Sequence, residues 1–320
     1  MKHTKEAVLW PLIFHEFEPG VKDMDIKSGY LKNSNAFGLK LVSWFGPNKD
    51  KGIPQLIGTV MVFDSETGAP KAILSAEHIT MMRTGAAGAI GAKYLARKDS
   101  ETLLMVGTGH MALLQIAATL IVMPSIKKVY LWNPLSVDLA EEFKCGIKER
   151  LKKQVLDMIE DQEILEEITR KFNVEFEVIT DIEKITGDAD IIITVTPSRK
   201  ALIKKEWVKP GTHFSCVGSD MSGKQEIDEA LFGMARVFTD DIAQSISVGE
   251  SEIAIKNGVI SKEDIISEIG AVINGEVIGR QSNTDITIYD STGIALQDLI
   301  TANYAIDKAV KTDMGTVFTL

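Results

Sequence analysis

One glycine turn and three ionisable side chains carry the chemistry this sequence offers. The turn is Gly107-Thr108-Gly109-His110-Met111-Ala112, entered directly from the apolar run Leu103-Leu104-Met105-Val106. A strand passing through such a turn into a helix can bind a dinucleotide. Gly107 permits the tight turn, Gly109 lets backbone approach a pyrophosphate, and small Ala112 lets the helix close on the strand. The helix N-terminus then offers unbonded N–H groups and the positive end of its dipole to the phosphates. An ordinary glycine turn has the same local form, so the surroundings matter. Residues 109–123 read as one amphipathic helix stopped by Pro124, and Lys127-Lys128-Val129-Tyr130-Leu131-Trp132 follows as the next strand, completing a β-α-β unit.

Arg83 is the first arginine in the chain and lies near the start of a helix of small residues. Its guanidinium could grip a carboxylate through two parallel hydrogen bonds; a surface arginine in a salt bridge would read the same way. Lys40 interrupts the apolar run Phe37-Gly38-Leu39-Lys40-Leu41-Val42-Ser43. Partly desolvated, its ammonium would have a lowered pKa and could pass a proton to or from nitrogen or water. Snorkelling from an edge strand is the structural alternative. Asp220 follows the strand at 214–217 in a glycine-flanked loop, at the carboxyl end where open α/β sheets place ligands. It could accept a proton from a substrate amine or direct water onto an imine, or it could close an Asx turn.

The elements that must position these groups follow from pattern and punctuation. Residues 43–80 alternate short apolar runs with turn signals such as Gly46-Pro47-Asn48 and Glu66-Thr67-Gly68-Ala69-Pro70, which predicts antiparallel strands, clearest over 55–64. A helix rich in Ala and Gly spans 79–96. Six strands at 103–106, 129–131, 176–179, 191–195, 212–217 and 235–238, with helices between them, predict a parallel sheet and an α/β fold class. Residues 137–171 read as a long polar helical excursion, 261–274 as a surface helix and 291–310 as a long helix.

With 320 residues, 45% hydrophobic and 25% charged, the composition is that of an ordinary globular protein with room for two domains. No apolar run reaches the ~18 residues of a membrane span and no basic-then-apolar export signal opens the chain, so the expected location is cytoplasmic. A net charge of −10 argues against a nucleic-acid partner. The two cysteines, Cys145 and Cys216, and the five histidines show neither disulfide-framework nor metal-ligand spacing, so no metal is expected.

Taken together, Met82-Arg83-Thr84-Gly85-Ala86-Ala87, the Gly107–Ala112 loop, Val217-Gly218-Ser219-Asp220-Met221-Ser222-Gly223-Lys224-Gln225-Glu226 and Asp290-Ser291-Thr292-Gly293 resemble the ornithine cyclodeaminase/mu-crystallin family. The resemblance runs from about Asp25 to Asp307. It implies a nicotinamide-dependent enzyme acting on a carbon–nitrogen bond of an amino or imino acid. It also implies a Rossmann domain over 99–284 and a substrate-binding, dimerising α+β domain built from 1–98 together with 285–320, hence a homodimer. Arg83 matches the arginine that binds the substrate carboxylate, Lys40 the catalytic lysine, and Asp220 the catalytic aspartate of the cyclodeaminase branch, which mu-crystallin-like members often lack. The implied cofactor contacts are Arg83, Thr84, Gly107, Thr108, Gly109, His110, Met111, Asn133, Pro134, Leu135, Thr196, Val217, Ser219, Ser291 and Thr292, with His110 read as facing solvent.

Two departures from the family pattern bear on specificity. Members usually carry a further arginine upstream of the Lys40 motif, but no arginine precedes Arg83, and Lys27 in Met24-Asp25-Ile26-Lys27-Ser28-Gly29-Tyr30 is the available second cation for substrate. An acid at the end of the second strand would select NAD and an arginine NADP. Trp132-Asn133-Pro134-Leu135-Ser136 has neither, with Pro134 where the related pattern has arginine, so NAD and NADP both stay open. The expected chemistry is hydride removal from Cα of a carboxylate-anchored amino acid, giving an imine, with Lys40 and Asp220 moving protons. Attack by the substrate's own distal amine would make the enzyme an ornithine cyclodeaminase, converting ornithine to proline and ammonia. Attack by water, or the reverse reaction, would make it an alanine-type dehydrogenase or an imine reductase. A crystallin-like binding protein without turnover is the third alternative.

Overall fold

The computed structural model describes residues 6–318, which divide into two compact units, residues 6–83 with 294–318 and residues 84–293. The first unit is an antiparallel sheet with a helix on one face. Its strands are β1 (Ala7–Leu9), β2 (Ile13–Glu18), β3 (Lys22–Leu31), β4 (Ala36–Phe45), β5 (Leu56–Asp64) and β6 (Pro70–Ser75), in the order β1-β3-β4-β5-β6, with β2 also on β3. The sheet thus begins well before residue 43. Two-residue alternation puts Leu31, Ala36, Val60 and Val62 on the face that packs with Leu296, Leu299 and Ala302 of the C-terminal helix, Ala295–Lys311. Gly29 and Gly38 are register partners on this face. β-Carbons there would lie 3.1 Å from Leu296 Cδ2 and 2.7 Å from Leu299 Cδ2, so the bare pair lets the helix settle onto the sheet.

The second unit holds β7 (Thr102–Val106), β8 (Lys128–Trp132), β9 (Glu175–Val178), β10 (Ile191–Thr194), β11 (Arg199–Ile203), β12 (His213–Cys216), β13 (Gln225–Ile227), β14 (Ala235–Thr239), β15 (Ile265–Glu268) and β16 (Ile286–Asp290). Eight of these form one parallel sheet in the order β15-β14-β16-β12-β10-β7-β8-β9, while β11 and β13 pair separately. Leu103, Met105, Ile191 and Ile193 belong to one apolar layer, and Leu104, Val106, Ile192 and Phe214 to another. Burial on both faces explains why these strands read as unbroken apolar runs.

Several boundaries differ from the sequence expectation, each for a packing reason. The glycine-rich helix runs Ala76–Leu95, and β-carbons at Gly85 and Gly91 would come within 2.6 Å of Leu114 O and 2.4 Å of Tyr289 Cδ1. That close packing puts its second half in the second unit, so the division falls after residue 83 rather than 98. β16, expected outside the Rossmann domain, is hydrogen-bonded between β12 and β14, which moves the other division from 284 to 293 and, with β15, makes eight strands rather than six. Residues 261–274 are not one helix. Asp264 accepts from the Ser261 amide at 2.7 Å and closes a single turn, after which β15 pairs with β14, because burying Ile265 in the sheet core outweighs helical periodicity. The 137–171 excursion breaks into Val137–Gln154 and Gln162–Lys171, the second helix restarted by Asp161, which accepts from the Glu163 and Ile164 amides. The helix after the glycine turn begins at Ala112, with Gly109–Met111 forming the turn itself, and the last helix begins at Ala295 rather than 291.

Candidate active site

In the first unit, antiparallel register sets Lys27 of β3 directly opposite Lys40 of β4. Both are buried, as is Arg83 of the glycine-rich helix. The C-terminal helix, brought down by the Gly29–Gly38 pair, places Asp298 among them. One oxygen, Oδ1, accepts from Lys40 Nζ at 2.9 Å and from Arg83 Nε at 3.0 Å, and Gln297 Oε1 accepts from Arg83 Nη1 at 3.4 Å. The other oxygen, Oδ2, is buried and has no hydrogen-bond partner.

Burial sets the electrostatics. It disfavours the charged form of Lys40, and Arg83 and then Lys27 add repulsion, so that the ammonium is pushed down to about 8 although Asp298 works the other way. Burial also opposes ionisation of Asp298, but Arg83, Lys40 and Lys27 overcome it and hold the carboxyl below its ordinary range. The result is an oriented guanidinium beside an amine able to gain or lose a proton near neutral pH. Asp298 is not among the residues expected from the sequence. Its signal there is a carboxylate on the buried stripe formed by Ala295, Leu296, Leu299 and Ala302.

In the second unit, the chain runs outward from β7 to β8 and β9, then returns to β10 on the other side of β7. Connections leaving β7 and β10 in opposite directions open a crevice at the carboxyl ends of these strands. Gly107 sits there at φ 101°, donating to Trp132 O at 2.8 Å, and a β-carbon on it would be 2.9 Å from Thr196 Cγ2. A β-carbon on Gly109 would meet nothing within 4 Å, so protein packing does not explain that glycine. The following helix has no side-chain cap at its N-terminus, where the Ala112 amide turns back to Gly109 O at 3.2 Å. Thr84 Oγ1 is buried and lacks a hydrogen-bond partner. These features fit a bound diphosphate.

Most of the remaining expected contacts are built into internal hydrogen bonds. Asn133 Nδ2 donates to Thr108 Oγ1 at 2.8 Å and its Oδ1 accepts from the Leu135 amide at 2.9 Å, with Pro134 and Leu135 exposed. His110 is exposed and Met111 half-buried. Thr196 bonds Glu226, Ser219 bonds Glu250, and Ser291 and Thr292 both bond Asp240, while Val217 is buried against Thr194 O. Asp220 is exposed beyond β12 and pairs with Lys224 at 2.5 Å, and Lys224 also donates to Gly218 O. The sequence alone assigns no role to Lys224, Glu226, Glu250 or Asp240. Lys27, Lys40 and Arg83 thus gather in the first unit around Asp298, whereas the glycine turn and Asp220 belong to the second.

Residues 10–313 match the model of the ornithine cyclodeaminase/mu-crystallin family. The chain belongs to that family. It is similar to the alanine dehydrogenase of Archaeoglobus fulgidus, 34% identical over 311 residues that cover 97% of this chain and 87% of that protein. It is also similar to the iminosuccinate reductase of Paracoccus denitrificans, 34% identical over 283 residues that cover 88% of this chain and 80% of that one. Among solved structures, an archaeal alanine dehydrogenase dimer with bound NAD superposes with a TM-score of 0.86 at 32% identity, over 100% of this chain and 90% of that chain. Among the described residues, no helix is long and apolar enough to cross a membrane.

Proposed function

We propose that this chain is an NAD-dependent oxidoreductase of a small 2-amino or 2-imino acid. The observation that carries this conclusion is the buried Lys40–Asp298–Arg83 cluster. A nicotinamide, when bound, supplies hydride exchange with the substrate's α-carbon. Thr84 and the turn Gly107–Met111 would hold the cofactor's diphosphate, Asn133–Leu135 its ribose, and Thr196, Val217, Ser219, Ser291 and Thr292 the remainder. NAD is favoured over NADP because residues 133–138 include no lysine or arginine to receive a 2′-phosphate.

Arg83, with Lys27, anchors the substrate carboxylate, and Lys40 passes a proton to or from nitrogen or water. Asp220 is the second proton carrier, steered by Lys224. The relatives' names support the substrate class, since alanine and iminosuccinate both have nitrogen on the carbon next to a carboxyl group. Asp220 also favours a second reading, in which a distal amine of the substrate attacks the imine and the enzyme acts as a redox-neutral, ornithine-type cyclodeaminase and thus a lyase.

The first unit supports a homodimer. An antiparallel sheet normally shows water a polar face, but here the face away from the helix carries Leu39, Met61 and Ile73 in one register row and the stacked Phe37–Phe63 pair in the next, with Ile73 53% exposed. The deciding experiment is a panel of amino acids, and of 2-oxo acids with ammonia or amines, run with NAD(H) and NADP(H) while absorbance and ammonia are followed together. Sustained NADH formation or consumption is expected. Ammonia release from ornithine without net cofactor turnover would establish the cyclodeaminase instead.

A further inference from the structure

The loop that carries Asp220 is held from behind by two carboxyl groups whose hydrogen bonds give them different tasks. Glu226, wholly buried, accepts from Thr194 Oγ1 at 2.7 Å, Thr196 Oγ1 at 2.8 Å, the Thr196 amide at 2.5 Å and the Gly218 amide at 3.0 Å. Thr194 ends β10 and Gly218 lies just past its neighbour β12, so one side chain spans two adjacent strand ends. Each Glu226 oxygen receives a backbone N–H, Oε1 from Thr196 and Oε2 from Gly218.

Glu250 is almost as deeply buried and is bonded differently. Its Oε1 accepts the Glu226 and Ile227 amides at 2.7 and 2.8 Å, whereas its Oε2 meets the Ser219 hydroxyl. A hydroxyl can turn to donate or accept, so Oε2 of Glu250 can carry a proton without facing another fixed hydrogen; neither oxygen of Glu226 can. Keeping both buried carboxyls charged would be costly: burial raises both, but the Thr194, Thr196 and Gly218 donors work against it at Glu226, whereas repulsion from Glu226 adds to it and takes the Glu250 carboxyl up to about 8.

We propose that Glu226 is an ionised positioning residue that fixes the Thr196 and Gly218–Asp220 turns relative to each other. Glu250 is its neutral partner, whose carboxylic O–H occupies the Ser219 lone pair and leaves the Ser219 hydrogen for a ligand. The proposal rests on the nucleotide-binding reading of these turns, and its consequences under amide substitution are opposite for the two residues. In E250Q the new side chain would reproduce a neutral acid, accepting two amides through oxygen and donating to Ser219 through nitrogen. In E226Q the new NH2 would be turned onto a backbone N–H in either orientation.

The test compares E226Q, E250Q and E250A in the full chain by NADH calorimetry, thermal unfolding and amide hydrogen exchange over residues 194–198 and 217–224. E226Q is expected to speed exchange in both segments and weaken NADH binding by about 5- to 150-fold, the range given by one unsatisfied buried donor. E250A should be impaired, and E250Q should restore both readouts. If E226Q does not fold, the rescue of E250A by E250Q still decides, together with an infrared band of a neutral buried carboxyl in wild type minus E250Q at neutral pH. Equal impairment of E226Q and E250Q, E250Q no better than E250A, or absence of that band would overturn the assignment. Wild-type protein that binds no NADH but shows the expected exchange pattern would overturn the nucleotide reading and leave the clamp intact.

Discussion

Replacing Asp298 with asparagine should move the pH at which Lys40 becomes active without disturbing its contacts. The amide oxygen can accept from Lys40 and Arg83 as Oδ1 does, and the new NH2 takes the place of Oδ2, which has no hydrogen bond to lose. What disappears is one negative charge. Lys40 stands at about 8 with Asp298 holding it up, and loss of an adjacent opposite charge lowers such a group by roughly 1–3 units, to about 5–7. In amino-acid oxidation Lys40 must be neutral to take a proton, so kcat/KM should rise with pH along a limb that reports its pKa. At pH 7 the wild type should run at about one-eleventh of its plateau, and D298N at roughly half to nearly all of its own plateau. Plateau height is a separate matter, because Arg83 loses its counterion. A limb that stays at the wild-type position in D298N, measured from pH 5 to 9, would refute the electrostatic account.

The same numbers bound the stability cost. The folded pKa of Lys40 lies below the unfolded 10.5, so its charge opposes folding below about pH 8, and that penalty disappears as pH rises through 10.5. Once Lys40 is neutral in D298N it adds no further penalty, which caps its share at pH 7 near ~1.4 kcal/mol. The Arg83 guanidinium, left without its counterion, bears the rest, within the roughly 3–5 kcal/mol typical of breaking a buried ion pair.

Gly109→Ala should leave stability within about 0.5 kcal/mol, because the methyl meets no protein atom, yet weaken NADH binding measured by calorimetry; unchanged affinity would remove the glycine turn from the cofactor site. Gly38→Ala should cost about 1–3 kcal/mol in urea unfolding, since its β-carbon would lie 2.3 Å from Met61 O and 2.7 Å from Leu299 Cδ2, and a neutral result would mean that neither the neighbouring strand nor the helix packs this closely on it. Ile73→Asp should turn a dimer into a monomer by sedimentation with little loss of monomer stability, and a persistent dimer would point to another interface.

The parallel-sheet unit is legible in the sequence because its determinants are local. Apolar runs such as Leu103–Val106 are buried on both faces, and Gly107 is required by its own backbone angle. Lys40 is legible for a related reason, as a charge in a strand with no polar side to turn to. Asp298 is not, because the reason for an acid on that helix lies 258 residues away. Residues 261–274 mislead because an apolar spacing that suits a helix also suits a short strand once β14 offers an edge to pair with. Asp220 is legible as a loop residue just past its strand, but nothing local marks Lys224, four residues on, as its ion-pair neighbour.

The bare glycines at 29 and 38 bear on more than helix packing. They set how deeply the C-terminal helix seats, and through that depth how much negative field reaches the Lys40 ammonium. On the proposed role of Lys40, the pH at which it works is therefore tunable by the bulk of residues that never ionise. A lineage adapting to acid or alkali could shift the Lys40 titration by resizing a contact and leave every charged side chain as it is.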